Sequence, residues 1–251
     1  MANGKNVATK QQAGALAKIN FAEDANFGLE KMTAQDLAIP FLVLVQKTSP
    51  QIEELDGCKP GMIFNTVTNK LSKELTVLPC GYKRAFVEWT PREKGGGYIG
   101  EHQPGSEMTL KPRNDRGEIV LENGNILVET AYQFVINVNG KGAEQAVISM
   151  SSTQLKKARR WNSMMMGLKV PHPNGTMVTP ASFSHKYKLK TVAEKNDKGS
   201  WYGWDIEMIE PVKETNLYQL AKVFAGGIRS NEVKVAPPSN CLLYTSPSPR
   251  D

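Results

Sequence analysis

The sequence is poor in the residues that metal, redox and covalent chemistry need. Of its three cysteines, Cys58 and Cys80 stand alone with no CxxC spacing, which argues against a zinc site and fits a reducing compartment. The three histidines, His102, His172 and His185, are scattered without metal-ligand spacing and read as loop or surface residues. Long apolar runs are missing as well. The longest, Ile39 to Val45, is broken by Pro40 and is too short to span a bilayer, and the first twenty residues carry no signal-peptide block. No membrane role is expected, and cytoplasmic residence follows. The Gly95 to Gly97 run lacks the GK[ST] of a phosphate loop, and no GxSxG, HExxH or strand-linked GxGxxG is present. These absences leave no catalytic residue, metal or cofactor to assign, so the chain reads as a binder and not as an enzyme.

The most telling absence is acid. From Gln145 to Ala193 there is no Asp or Glu, against eight cations: Lys156, Lys157, Arg159, Arg160, Lys169, Lys186, Lys188 and Lys190. Solvated surfaces normally mix both signs, so a long run of one sign points to an anionic partner. The whole chain is moderately basic, with net charge +6 over 251 residues. Its 40% hydrophobic and 22% charged content is that of a soluble globular protein.

Five of those eight cations fall in Ser151 to Lys169, SSTQLKKARRWNSMMMGLK, which reads as one helix. Ser151 with Gln154 makes a capping-box start and Gly167 a stop. At 100° per residue, Leu155, Ala158, Trp161, Met165, Met166 and Leu168 share a core-facing arc, opposite Lys156, Lys157, Arg159 and Arg160.

In chain order, residues 1–32 read as a flexible polar arm. Residues 33–230 read as a single nucleic-acid-binding domain, and residues 231–240 as the start of a linker or tail. Cys241 to Asp251, CLLYTSPSPRD, resembles a translated transposase adapter from a sequencing library, with environmental DNA as the source. Those residues are set aside as an artefact. Thr33 to Asp36 resembles a helix start. Strands are expected at Met62 to Val67, Glu74 to Leu78, Lys83 to Trp89, Ile126 to Asn137, Glu144 to Met150, Ser182 to Val192 and Ser200 to Ile209, and a closing helix at Asn216 to Ala225. Residues 90–125 form a long, poorly periodic insertion. The expected class is mainly β with a few helices. Strands, then a helix, then a two-stranded hairpin is the order of an OB-fold-like Greek-key barrel, here with the long loop insertion and flanking helices.

The strand around Lys186 alternates strictly. Phe183, His185, Tyr187 and Leu189 share one face, while Ser184, Lys186, Lys188 and Lys190 share the other, as a row of phosphate-binding charges. Trp201, Tyr202 and Trp204 add rings that would stack on unpaired bases. Lys83, Arg84, Trp89 and Arg92 repeat the mixture near the insertion. A basic groove with interleaved rings suits sequence-tolerant single-strand binding.

Several stretches occur together and in order: Pro60 to Thr68 (PGMIFNTVT), Val77 to Cys80, Val87 to Trp89, Ile148 to Lys157 (ISMSSTQLKK), Trp161 to Gly167 (WNSMMMG) and Lys198 to Asp205 (KGSWYGWD). This set resembles a family of single-stranded DNA-binding proteins of tailed bacteriophages. The resemblance implies an OB-fold core, coating of single-stranded DNA during phage DNA replication and recombination in the infected host cell, and contacts with the phage DNA polymerase and helicase-primase. A homodimer is compatible with it. Two other readings stay open: a virion structural or assembly protein, and a strand-annealing recombinase.

Overall fold

The computed structural model describes residues 22–33, 36–140, 142–197 and 199–233, so the expected arm up to residue 21, the tail from residue 234 and the adapter-like end lie outside the described residues. The chain divides after Ala38. Before that point, residues 22–28 form turns, and the Asp36 carboxylate accepts from the Thr33 backbone N–H (2.8 Å) and hydroxyl (2.7 Å). The Thr33 backbone bond, chiefly, holds Asp36 below its ordinary value.

From Ile39 onward the protein is mainly β. In order come β1 (Leu42–Leu44), α1 (Gln51–Glu54), β2 (Ile63–Asn65), β3 (Leu71–Ser72), β4 (Glu74–Thr90), β5 (Gly97–His102), β6 (Ile119–Val120), β7 (Ile126–Asn137) and β8 (Glu144–Ser151). Then follow α2 (Leu155–Gly167), β9 (Val170–Pro171), β10 (Met177–Val178), β11 (His185–Asn196), β12 (Gly199–Pro211) and α3 (Thr215–Arg229).

Seven strands build the main antiparallel sheet in the order β12-β11-β4-β7-β6, with β5 on β4 and β8 on β7. A second sheet has the order β1-β2-β3, and β9 with β10 forms a small hairpin. Both larger sheets are open: among the described residues no strand pairing joins β8 to β12, so the expected barrel is not closed by backbone ladders. Two links stand near that gap. Phe41 makes a single parallel bridge to Val147. Gln46 donates from Nε2 to the Tyr202 carbonyl and accepts from the Tyr202 N–H, both at 2.8 Å.

Two apolar cores lie on the two faces of the main sheet. Leu75, Val77, Ala131, Val135, Ile148, Met150, Tyr187, Leu189, Trp204 and Ile206 meet Leu42, Leu44 and Ile63 and are covered by Ala158 and Trp161 of α2. Burying an indole of this size stabilises by a few kcal/mol (about 3–5 on truncation). The opposite face carries Leu78, Tyr132, Phe134, Ile136 and Val147 and is covered by Phe41, Phe64 and, from α3, Ala221 and Phe224. Strand β1 therefore reads as a continuous apolar run, because it is buried on both sides.

Several local expectations change. The two strands anticipated at Glu74 to Leu78 and Lys83 to Trp89 are one strand, β4, which shifts register between Pro79 and Gly81 and so continues through a sequence that looks like a break. The insertion is ordered: β5 and β6 add to the sheet, and Phe86, Ile119, Leu121 and Leu127 form its own small core. The capping box is not made. A 3-10 turn over Ser152–Gln154 precedes α2 with no side-chain cap, and Gln154 Oε1 instead accepts from the Trp204 N–H (2.9 Å). Helix α3 runs through Gly226 and Gly227 to Arg229 instead of stopping at them.

Candidate nucleic-acid interface

The lysine row of β11 meets acids from strands far away in sequence. Across the β11–β12 ladder Lys186 stands opposite Glu210, Lys188 opposite Glu207 and Lys190 opposite Asp205, while β4 places Glu74 opposite Lys190. Lys186 pairs with Glu214 (2.7 Å) and Glu210 (3.4 Å), and Lys188 pairs with Glu74 (2.9 Å). The hydrogen bond to Glu214 above all holds Lys186 above its ordinary value despite partial burial. With Lys213 on Glu210 (2.9 Å), four lysines thus share a surface with five carboxylates: Glu74, Asp205, Glu207, Glu210 and Glu214. The row is a charge ladder that holds strands together, and its balance is acidic.

The second expected cluster is neutralised in a similar way. Lys83 pairs with Glu101 and lies 5.7 Å from the Tyr132 ring centroid. Arg84 Nε (3.1 Å) and Arg113 Nη2 (2.7 Å) both bind the buried Glu129 carboxylate, and Arg113 sits over the Phe86 ring. A second buried carboxylate, Glu88, accepts from Asn125 Nδ2 (2.6 Å) and meets His102 Nε2 (2.7 Å). The Asn125 bond first, then His102, keeps Glu88 below its ordinary value against the opposing effect of burial. His102 is therefore not a bare loop residue; it fastens the insertion to β4. Glu88, Glu129 and Arg113 were not legible as a site. For the two glutamates the signal is a charge at a buried position of a strand, Glu88 on β4 and Glu129 on β7, visible only once those strands are paired; Arg113 reaches Glu129 from the insertion. Arg92 is exposed in a 3-10 turn over Arg92–Lys94.

Of the four expected stacking rings, two are core. Trp89 is 4% exposed and packs edge-on against Tyr98, and Trp204 is 2% exposed among the residues beneath α2. Neither ring is available to a base without opening the fold. Tyr202 is half-buried and lies against Gly61, where an added Cβ would sit 2.6 Å from the ring, in a backbone with φ +86°. Trp201 is half-buried at the start of β12, and its Nε1–H donates to Glu194 Oε2 (2.8 Å).

Helix α2 groups several exposed cations with no acid of its own. Ala158 and Trp161 are buried; Lys156, Arg159, Arg160 and Ser163 are exposed along one arc. Met166, expected in the core, is 66% exposed on the edge of that arc, because 100° per residue places it next to Arg159. Lys157 flanks the arc and pairs with Glu194 (2.7 Å). Arg160 Nη1 also donates to the Ile206 carbonyl (3.3 Å), capping the outer edge of β12. Neither end of the arc carries an acid from the helix itself, since its sequence has none. Lys169 donates to Thr179 (2.6 Å) just beyond the helix.

Cys58 and Cys80 are buried free thiols, and burial pushes Cys80 up to about 12, so it carries no thiolate at neutral pH. Among the described residues no cluster of His, Cys, Asp or Glu has the makings of a metal site, and no helix is long and apolar enough to cross a membrane.

Fold and surface together define a mainly-β protein that, among the described residues, carries a basic surface on the outer face of a helix laid over the sheet. Over residues 8–234 the sequence matches the family described as Pam3 phage gp34-like protein, and the chain belongs to that phage protein family. Comparison with curated proteins and with solved structures found no match.

Proposed function

We propose that the protein binds single-stranded DNA without strong sequence preference during phage DNA replication or recombination, in the cytoplasm of the infected host, through the outer face of α2. The observation that carries the reading is the exposed arc of Lys156, Arg159, Arg160 and Ser163, which has no acid of its own. Its reach along the helix suits about three phosphates, at 1.5 Å of rise per residue. Membership of a phage family adds to it.

The fold is read as an OB-like core, and the support is topological. Taking β4, β7, β8, β11 and β12 as the five strands, the pairs β4–β7, β7–β8, β4–β11 and β11–β12 match four neighbour relations of a Greek-key barrel. Helix α2 falls between the third and fourth of them. At the fifth relation, β8 to β12, side chains stand in: Gln46 on Tyr202, Gln154 on Trp204 and Arg160 on Ile206. The insertion is then the loop between strands one and two, and the β11–β12 turn is the loop between strands four and five, the two loops OB-folds use for oligonucleotides. The outer face of strands two and three, the other usual surface, lies under Phe41, Phe64 and α3, which favours α2 and the β11–β12 end.

Titrating oligo-dT and duplex of equal length at several salt concentrations tests the reading. The expected result is tighter binding to oligo-dT, with log K falling against log salt with a slope of about −2, for three phosphates at roughly 0.7 each. Absence of binding to oligo-dT at low salt refutes it. The other readings predict different outcomes: a structural protein is found in purified virions, and an annealing recombinase speeds pairing of complementary strands.

A further inference from the structure

We infer that the tip of the β11–β12 hairpin is the part of the interface that selects unpaired bases, with Trp201 as the stacking ring and Glu194 as the positioning residue that couples it to the helix cations. This rests on the reading of α2 as the phosphate-binding face. The geometry is a three-member relay. Glu194 and Trp201 are opposite one another across the ladder. One carboxylate oxygen of Glu194 binds Lys157 Nζ at 2.7 Å, and the other accepts from Trp201 Nε1 at 2.8 Å. A single side chain therefore ties the flank of the basic helix to an indole on the neighbouring hairpin.

The surroundings are built for that approach. Position 203 is a glycine, and a Cβ there would stand 2.7 Å from Glu194 Oε2 and 2.9 Å from Gln154 Nε2, so a side chain would push the carboxylate away. Burial raises the Glu194 carboxyl, but the Lys157 and Trp201 bonds and the Lys157 charge outweigh it and leave the group below its ordinary value. Lys47 donates to Ser200 (2.9 Å), and Lys195, exposed, stands opposite Ser200 in the ladder, so two further cations lie at the end of the hairpin, on the face away from the Glu194–Trp201 pair.

Of the four tryptophans, Trp89, Trp161 and Trp204 are 4%, 0% and 2% exposed, and only Trp201 is not buried. A strand whose phosphates run along Lys156 and Arg159 brings a base to this ring. A duplex keeps its bases paired and gains nothing there. Glu194 has two opposed effects: it fixes the indole, and it competes with phosphate for Lys157.

The test uses the full chain and three probes of one length: oligo-dT, an abasic oligomer with the same phosphates, and duplex DNA, read by anisotropy and by tryptophan fluorescence. The wild type is expected to prefer oligo-dT over the abasic strand about tenfold, the lower part of the range for one stacked base. Binding of oligo-dT quenches the fluorescence, and binding of the abasic strand does not. Trp201→Ala removes the preference and the quench and leaves abasic affinity unchanged. Glu194→Gln, which keeps an acceptor for the indole but frees Lys157, tightens all three probes and steepens the salt slope by about 0.7. If the wild type binds oligo-dT and the abasic strand equally, or Trp201→Ala keeps the preference, this inference is overturned while the phosphate reading stands. If no probe binds the wild type, the phosphate reading itself is overturned, and this inference with it.

Discussion

Two groups of cations arise from one acid-free stretch of sequence and end in opposite surroundings. On α2, Lys156, Arg159 and Arg160 project from a helix whose other face is buried on the sheet, so few neighbouring elements supply counter-charge. On β11, Lys186, Lys188 and Lys190 lie between two strands, and each strand brings acids to the same surface. The difference is one of dimension. A surface helix is a single row with solvent on its outer side, and its charge is set by its own residues. A strand inside a sheet has its charge set by residues paired across the ladder. A charge run in sequence therefore predicts surface potential on a helix far better than in a sheet.

Reversing charge on the two regions should break the comparison most visibly. Lys156→Glu with Arg159→Glu is expected to weaken oligo-dT binding about hundredfold, at roughly tenfold per lost phosphate contact, and to flatten the salt slope by about 1.4. Lys186→Ala with Lys188→Ala is the matched control on the strand. It should leave DNA affinity within about twofold and lower stability by less than about 1 kcal/mol, since these are half-exposed ion pairs. Gel-shift titration with thermal melts of each variant measures both. Equal losses of affinity from the two pairs would show that the ladder does contact DNA.

The converse change sharpens the point. Asp205→Lys with Glu207→Lys removes the acids opposite Lys190 and Lys188 without touching β11 itself. If partner strands decide the potential, this face becomes basic, and affinity for oligo-dT should rise by about three- to tenfold at low salt, with the gain lost at high salt. No gain would mean that this face lies too far from the bound strand for its charge to matter.

The same distinction explains what the sequence made legible. The bounds of β7 follow from its run of β-branched and aromatic residues over Ile126 to Asn137, which is buried on both faces along most of its length, and the turn between β11 and β12 sets those two strands within a few residues. The helix was found from its period, and its start was misjudged because Gln154 spends its side chain on Trp204 and not on a cap. Strand β5, Gly97–His102, holds two glycines in six residues and β6 only two residues in all, so neither carries a periodic signal; pairing with β4 and β7 creates them. The rings failed for a related reason. Trp201 and Trp204 are three residues apart on one strand, and sequence does not say which one the helix covers. Glu194 sits at the edge of the acid-free run and reads as its end, whereas in space it is the acid that pairs with the helix.

That glutamate also sets the smallest expected effect, one whose sign separates the two regions. In the free protein Lys157 and Trp201 hold Glu194 below its ordinary value. When a phosphate takes Lys157, the carboxylate loses its counter-ion and its proton affinity rises, so binding is linked to proton uptake and tightens as pH falls from 7 toward 5. Glu210 and Glu214 behave in the reverse sense. Bonds from Lys213 and Lys186 lower them in the folded state, so the stability they contribute is present above the ordinary glutamate range and is lost as pH falls through their depressed values. Mild acid should therefore raise oligo-dT affinity, by about twofold to threefold for a single coupled group, over a range where the ladder is still intact. Glu194→Gln should abolish that pH dependence and start from the tighter value. Measuring Kd at pH 7, 6 and 5 for both proteins decides it: parallel pH profiles would detach Glu194 from the interface and leave the helix arc to act alone.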